Sequence, residues 1–176
     1  CQPSMSQSWP RPRPEVENMN RYTAPLEGRR DFLRLDFNEN TLGPSPLVME
    51  AIKKIPASHI SVYPEYNGLK EAVIKNLSSA NKTICLQTKQ IGLFNGVDAA
   101  IHAIFHAYGN RTDQLLTTTP TFGYYMPCAL MQGMEIISIP YEGSNFDFPL
   151  KRIRKTLIEK QPKLLVLCNP NNPTGT

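Results

Sequence analysis

The sequence predicts an α/β fold: a mostly parallel sheet with helices on both faces, preceded by an N-terminal arm. Three observations point there. From Gln90 onward, short apolar or β-rich runs alternate with stretches whose apolar residues recur three and four apart. The chain opens on a proline-dense segment without such periodicity. Its last apolar run, Leu164 to Cys168, leads into the polar turn Asn169-Pro170-Asn171-Asn172-Pro173-Thr174-Gly175-Thr176, and in open α/β sheets such turns at strand carboxyl ends are where ligands bind.

The elements follow in order. Residues 1 to about 30 are rich in Pro, Arg, Ser and Gln, and Trp9-Pro10-Arg11-Pro12-Arg13-Pro14 is too proline-dense for a helix or a central strand. The expected organisation is a partly disordered arm over residues 1–34 and an α/β domain over 35–176. With Cys1 rather than Met at its head, the chain is expected to belong to a longer reading frame. Ser45 caps a short helix through Pro46, Leu47, Val48, Met49, Ala51, Ile52 and Ile55. A second helix, from about Gly68 to Ser79, puts Leu69, Ala72, Val73 and Leu77 on one face and Lys70, Glu71 and Lys75 on the other. Then come strand Gln90–Phe94, helix Val97–Tyr108, strand Gln114–Thr118, helix Phe122–Gln132, strand Glu135–Tyr141, helix Leu150–Lys160 and strand Leu164–Cys168. Strands alternating with helices imply right-handed parallel crossovers, with the strand-end loops gathered at one edge.

Composition narrows the function. A chain of 176 residues, 40% hydrophobic and 19% charged, is ordinary for a soluble globular domain. The net charge of +4 is spread among acidic residues, so a nucleic-acid partner is not expected. Cys1, Cys85, Cys128 and Cys168 form no C-x-x-C pair and read as free thiols of a reducing compartment. No apolar stretch is long enough to span a bilayer, and the expected location is the cytoplasm. His102 and His106, an i, i+4 pair, lack an evident third metal ligand, and the ten lysines read mostly as solvated helix faces.

Three strand-end loops carry chemistry-bearing residues. In Asn95-Gly96-Val97-Asp98, a glycine at a strand–helix junction frees backbone amides at a helix N-terminus, a ready anion seat; alternatively Asp98 only charges the first turn. In Thr119-Pro120-Thr121-Phe122-Gly123-Tyr124-Tyr125, Phe122 can offer a flat face to a planar heterocycle, or start the buried face of a helix, where Tyr124 and Tyr125 belong. In the terminal turn, the asparagines offer both donor and acceptor, and Gly175 permits close approach. Upstream, Asp36-Phe37-Asn38-Glu39-Asn40-Thr41-Leu42-Gly43-Pro44-Ser45-Pro46 is a polar loop before a capped helix, and Tyr63 lies in a Tyr-Pro turn.

These segments, in this order, resemble the fold-type I, pyridoxal-phosphate-dependent aminotransferases of class I/II, in their histidinol-phosphate aminotransferase branch. The terminal turn is similar to their N-P-N-N-P-T-G signature and residues 38–46 to N-E-N-P-L-G-P-S-P, with Thr41 in place of Pro. The stretch Val62-Tyr63-Pro64-Glu65-Tyr66-Asn67-Gly68 resembles R-Y-P-x-x-x-G, with Val62 in place of Arg. The resemblance implies pyridoxal 5'-phosphate as cofactor. It assigns the phosphate to the backbone amides of Gly96, Val97 and Asp98, with Val97 where relatives carry a small or hydroxylated residue. It further assigns ring stacking to Phe122, the cofactor's 3-oxygen to Asn172, a phosphate contact across a homodimer interface to Tyr63, and the substrate end to Asn38 and Asn40. The implied reaction exchanges an amino group between a phosphorylated or otherwise polar amine and 2-oxoglutarate, with no nucleic acid or membrane as partner. The cofactor-bearing lysine, the Asp facing the pyridine nitrogen and the carboxylate-binding Arg are expected beyond Thr176, which leaves residues 35–176 as the first part of the cofactor-binding large domain. Two alternatives are a threonine-phosphate decarboxylase-like enzyme, sharing these signatures, and a truncated, non-catalytic interaction fragment.

Overall fold

The computed structural model describes residues 10–19 and 27–176; the remainder of the expected arm, with Cys1 and Trp9, lies outside the described residues. The chain divides into two compact units, one spanning Tyr22–Leu93 and the other combining Cys1–Arg21 with Phe94–Thr176.

The second of these holds the sheet. Its first element is a short helix, α1 (Pro14–Glu17), which begins at the last proline of the arm's run. Proline suits a first helical turn, where its missing N–H would be unbonded anyway. In the Tyr22–Leu93 unit, α2 (Pro46–Lys53) starts where the sequence predicts, with the Ser45 hydroxyl accepting from the Leu47 amide at 3.3 Å. After it come α3 (Ala57–Ile60) and α4 (Leu69–Ala80), the latter within a residue or so of expectation. No described residue of this unit is fully buried, and Leu47, Ile52, Ile60 and Val62 are all more than half exposed. The strand expected over Gln90–Phe94 is absent: Thr88–Gln90 makes a single 3₁₀ turn, closed by Gln90 Oε1 accepting from the Gln87 amide at 2.8 Å, and the residues after it pair with no strand. An apolar run signals burial, but strand geometry persists only where a neighbour takes its hydrogen bonds.

From Val97 onward, α5 (Val97–Tyr108), β1 (Gln114–Thr119), α6 (Tyr125–Met131), β2 (Glu135–Pro140), α7 (Leu150–Lys160) and β3 (Leu164–Leu165) follow the expected alternation. Both β2 and β3 run parallel to β1, in the order β2-β1-β3, with Leu115 opposite Ile136 on one side and Leu164 on the other. The last strand is shorter than its apolar run, although the Val166 amide still reaches Leu116 O at 2.9 Å. The helix expected from Phe122 begins at Tyr125, because Phe122, Gly123 and Tyr124 turn the chain before it; Phe122 is therefore a loop residue.

Side chains alternate across β1, and each face meets its own helices. Leu115 packs with Ile101 and Phe105 of α5 and with Tyr125, Cys128 and Ala129 of α6. Leu116 packs on the opposite face with Ile139 of β2 and Ile153 of α7, where Leu157 adds a second contact one turn on. Helices thus cover both faces, as predicted. Around this core, α1 docks on α6 through the Arg13 guanidinium, which donates to the Met131 carbonyl, and Glu15 pairs with Arg111 at 3.5 Å. Cys85, Cys128 and Cys168 are free thiols, and among the described residues no helix is long and apolar enough to cross a membrane.

Phe105 is 1% exposed and Ile158, on the outer side of α7, is 77% exposed. Phe105→Ala is expected to cost about 3–5 kcal/mol of unfolding free energy, and Ile158→Ala no more than about 0.5 kcal/mol; chemical denaturation of both variants measures the difference. The Tyr125 phenol is pushed from 10.0 up to about 12, first by burial and then by its contact with Cys168. Folded, it holds its proton more tightly than unfolded, so its contribution to stability is complete below pH 10 and is lost as pH rises toward about 12. Tyr125→Phe should flatten that alkaline loss; denaturation midpoints across the window, with identical slopes in parent and variant, would refute the assignment.

Candidate functional site

Parallel pairing puts the carboxyl ends of β1 and β3 at one edge of the sheet, and the loops bearing Phe122 and Asn172 leave from there. At the start of α5, Gly96 holds φ 82° and ψ 164°, a conformation open essentially to glycine alone. A Cβ built on it would meet nothing within 4 Å, so the backbone there faces open space. The Gly96 amide turns back to Phe94 O at 3.0 Å, whereas the amides of Val97 and Asp98 find no acceptor among the described residues and no side chain caps the helix. Two orphan donors therefore stand at the positive end of a 12-residue helix. The Val97 side chain is 66% exposed and brings no polar group.

Asp98 links this helix start to the next loop. Its carboxylate, with burial and the Cys128 thiol as the larger causes, raises the Tyr124 phenol above its ordinary value. Burial raises the Cys128 thiol as well, Tyr124 opposes that through a hydrogen bond, and Asp98 adds to it. Phe122, half-buried, meets Tyr125 edge-on at 5.6 Å and 80°, and tilts against Tyr124 at 6.5 Å. These two tyrosines are packing residues, Tyr125 being 9% exposed in the core, and they hold the Phe122 ring from its edge and side.

In the terminal turn the two adjacent asparagines divide the work. Asn171 is 2% exposed. Its Oδ1 accepts from the Thr121 hydroxyl at 2.8 Å, while its Nδ2 donates to Pro120 O at 3.0 Å and to Thr174 Oγ1 at 2.8 Å. Asn172, half-buried beside it, spends its side-chain amide on no partner among the described residues. Phe122 and Asn172 thus belong to two loops at one sheet edge, joined through Asn171, and Gly96, Val97 and Asp98 stand at the start of α5. The sequence pointed to Asn172 and passed over Asn171; a run of two asparagines carries no sign of which is buried.

Tyr63, Asn38 and Asn40 lie in the Tyr22–Leu93 unit. Tyr63 is 95% exposed. Asn38 is exposed with φ 54°, a left-handed conformation that asparagine tolerates better than most residues. Asn40 closes its own turn, donating to Gly43 O at 2.9 Å and accepting from the Leu42 amide at 3.1 Å. Arg29, which the sequence did not single out, ties this segment together. It bonds Asp36 at 2.6 Å and Glu39 at 3.3 Å, lies 4.2 Å over the Phe37 ring, and holds the Asp36 carboxyl below its ordinary value. Arg34 adds a second pairing with Glu39 at 3.1 Å. On α5, the His102 and His106 rings stack at 6.1 Å, and among the described residues no cluster of three metal-ligating side chains occurs.

Comparison with known proteins fits this architecture. The family model for aminotransferase class I and II matches residues 30–176. A dihydroxyacetone phosphate transaminase of Campylobacter jejuni is 36% identical over 151 residues, covering 82% of this chain and 38% of that protein. A histidinol-phosphate aminotransferase of Macrococcus caseolyticus is 32% identical over 173 residues, covering 93% of this chain and 47% of that protein. The solved histidinol-phosphate aminotransferase of Sinorhizobium meliloti, in complex with pyridoxal-5'-phosphate, superposes with a TM-score of 0.74 at 18% identity over 95% of this chain and 44% of that one. The chain spans less than half the length of these relatives. With a strand-end site at the edge of a parallel sheet and a family match over most of its residues, the chain belongs to the aminotransferase class I and II family.

Proposed function

We propose that the whole protein to which this chain belongs is a pyridoxal-phosphate-dependent aminotransferase resembling histidinol-phosphate aminotransferase, exchanging an amino group between a phosphorylated amine and 2-oxoglutarate. The observation that carries this reading is the donor set of the sheet-bearing unit. It offers unbonded amides at a helix start beneath an uncovered glycine, an aromatic face, and one free carboxamide. That donor set fits a phosphorylated pyridine: dipole and amides for the phosphate, a ring for the ring, and an amide hydrogen for a phenolic oxygen.

Of the three amides expected to hold the phosphate, that of Gly96 is spent on Phe94 O, so in this reading the Val97 and Asp98 amides bind it, with the Gly96 backbone leaving room. Phe122 orients the ring by stacking, and Asn172 holds the 3-oxygen. When bound, the cofactor supplies the electron sink that makes the substrate's α-proton removable. The lysine that removes it is assigned to a part of the whole protein that these residues do not span. In support, nine of the lysines are exposed and Lys70 is half-buried, whereas an activated amine needs desolvated surroundings. Tyr63 is assigned to a phosphate across a homodimer interface, and Asn38 and Asn40 to the substrate end. The exposed apolar side chains of the Tyr22–Leu93 unit support a covered surface in the whole protein. A phosphorylated substrate is supported by the names of two relatives, a histidinol-phosphate aminotransferase and a dihydroxyacetone phosphate transaminase. The second favours a phosphorylated ketone as an alternative acceptor.

Purified full-length protein should retain pyridoxal phosphate and move amino groups between glutamate and one of these phosphorylated carbonyl compounds. Failure to bind the cofactor sinks the reading. Removing the Phe122 ring forfeits stacking of about 0.5–1.5 kcal/mol beyond its burial, so Phe122→Ala should weaken cofactor affinity about ten-fold. Asn172→Ala should weaken it similarly and shift the bound cofactor's absorption spectrum. Titration of the apoprotein with cofactor measures both, and unchanged affinity and spectrum would remove the residue concerned from the site.

A further inference from the structure

We propose that Asn171 is the positioning residue of this site, fixing the turn after β3 to the loop after β1 so that Asn172 and Phe122 keep one mutual geometry. The inference rests on the reading of those two residues as cofactor contacts, and adds a residue that touches neither cofactor nor substrate.

Asn171 is the one described asparagine that is fully buried, and all its polar groups are engaged. Its side chain reaches back 50 and 51 residues, to the Thr121 hydroxyl and the Pro120 carbonyl, the two residues immediately before Phe122. Its backbone closes the turn that carries Asn172: the Asn171 amide donates to Thr176 O at 2.7 Å, and Asn171 O accepts from the Gly175 amide at 2.7 Å. The third side-chain bond, to Thr174 Oγ1, braces the same turn from inside. One carboxamide therefore sets two loops whose strands, β1 and β3, share no pairing beyond Leu116 and Leu165. The chemistry is specific to asparagine. Aspartate has the same shape but no hydrogens to give, and its oxygen would face the Pro120 carbonyl lone pair to lone pair. Alanine leaves the Pro120 carbonyl, Thr121 and Thr174 without their buried partner.

The test uses full-length protein carrying Asn171→Asp, Thr121→Val, Asn172→Ala and the pairwise combinations. The readouts are cofactor affinity of the apoprotein, the pH midpoint of the bound cofactor's visible absorption, and thermal stability of the apoprotein. Asn171→Asp should weaken cofactor binding about ten-fold or more, the scale of an unmet buried hydrogen bond, and shift the spectral midpoint in the direction Asn172→Ala shifts it. Adding Asn172→Ala to Asn171→Asp should then cost clearly less than in the parent, because both act on the same contact. Thr121→Val, which removes a single bond at the edge of the cluster, should show the same pattern more weakly, and it carries the test if Asn171→Asp fails to fold. Losses that simply multiply, or lowered thermal stability with an unmoved spectral midpoint, would overturn the proposal and leave Asn171 as a fold residue. A parent that binds no cofactor overturns the functional reading and this role with it; a parent that binds, with Asn171→Asp unaffected, overturns this role alone.

Discussion

The structure depends on one strand being enclosed on every side. Leu115, Leu116, Thr117 and Thr118 are all at 0% exposure, with β2 and β3 along the two edges of β1 and helices on its two faces. A strand in that position cannot tolerate a one-residue slip, which would exchange the Leu115 face for the Leu116 face and set each helix against the wrong side chains. Register is thus specified twice, and the helices are placed by it. Because parallel neighbours must leave from the same edge, the same constraint gathers the loops after β1 and β3 together.

What the sequence showed depended on how local the responsible signal is. The helices Val97–Tyr108 and Leu150–Lys160 stand where their periodicity places them, since Ile101 with Phe105 and Ile153 with Leu157 repeat the apolar stripe within a single element. The Gln90–Phe94 run misled for the complementary reason: apolar character is local, whereas a pairing partner is not. The site divides the same way. Gly96 was singled out as a strand–helix junction, and it stands at the start of α5 although no strand precedes it; Phe122 and Asn172 were singled out from short motifs. Asn171 was not, because what distinguishes it from Asn172 is a set of partners about 50 residues away in sequence. Arg29 escaped notice likewise: its role follows from Asp36, Phe37 and Glu39 folding back on it, and an arginine in a polar stretch announces none of that.

The two units are held by different physics. The sheet unit relies on apolar packing about one strand. The Tyr22–Leu93 unit has no fully buried described side chain and relies instead on caps, turns and ion pairs: Ser45 on Leu47, Asn40 on its own turn, Arg29 on two carboxylates. Solvated ion pairs of this sort stabilise little and weaken with salt.

That contrast sets a gradient of motion. Leu115 to Thr118 are all at 0% exposure, with β2 paired along all four and β3 along the first two, so deuterium reaches their amides only when the sheet unit opens. Amides in α2 and the Tyr63 loop are freed by local fraying that leaves the rest folded. The loops after β1 and β3 fall between these extremes. The Asn171 bonds tie them to each other, and the segment bearing Tyr63, Asn38 and Asn40, without a buried side chain, opens at lower cost.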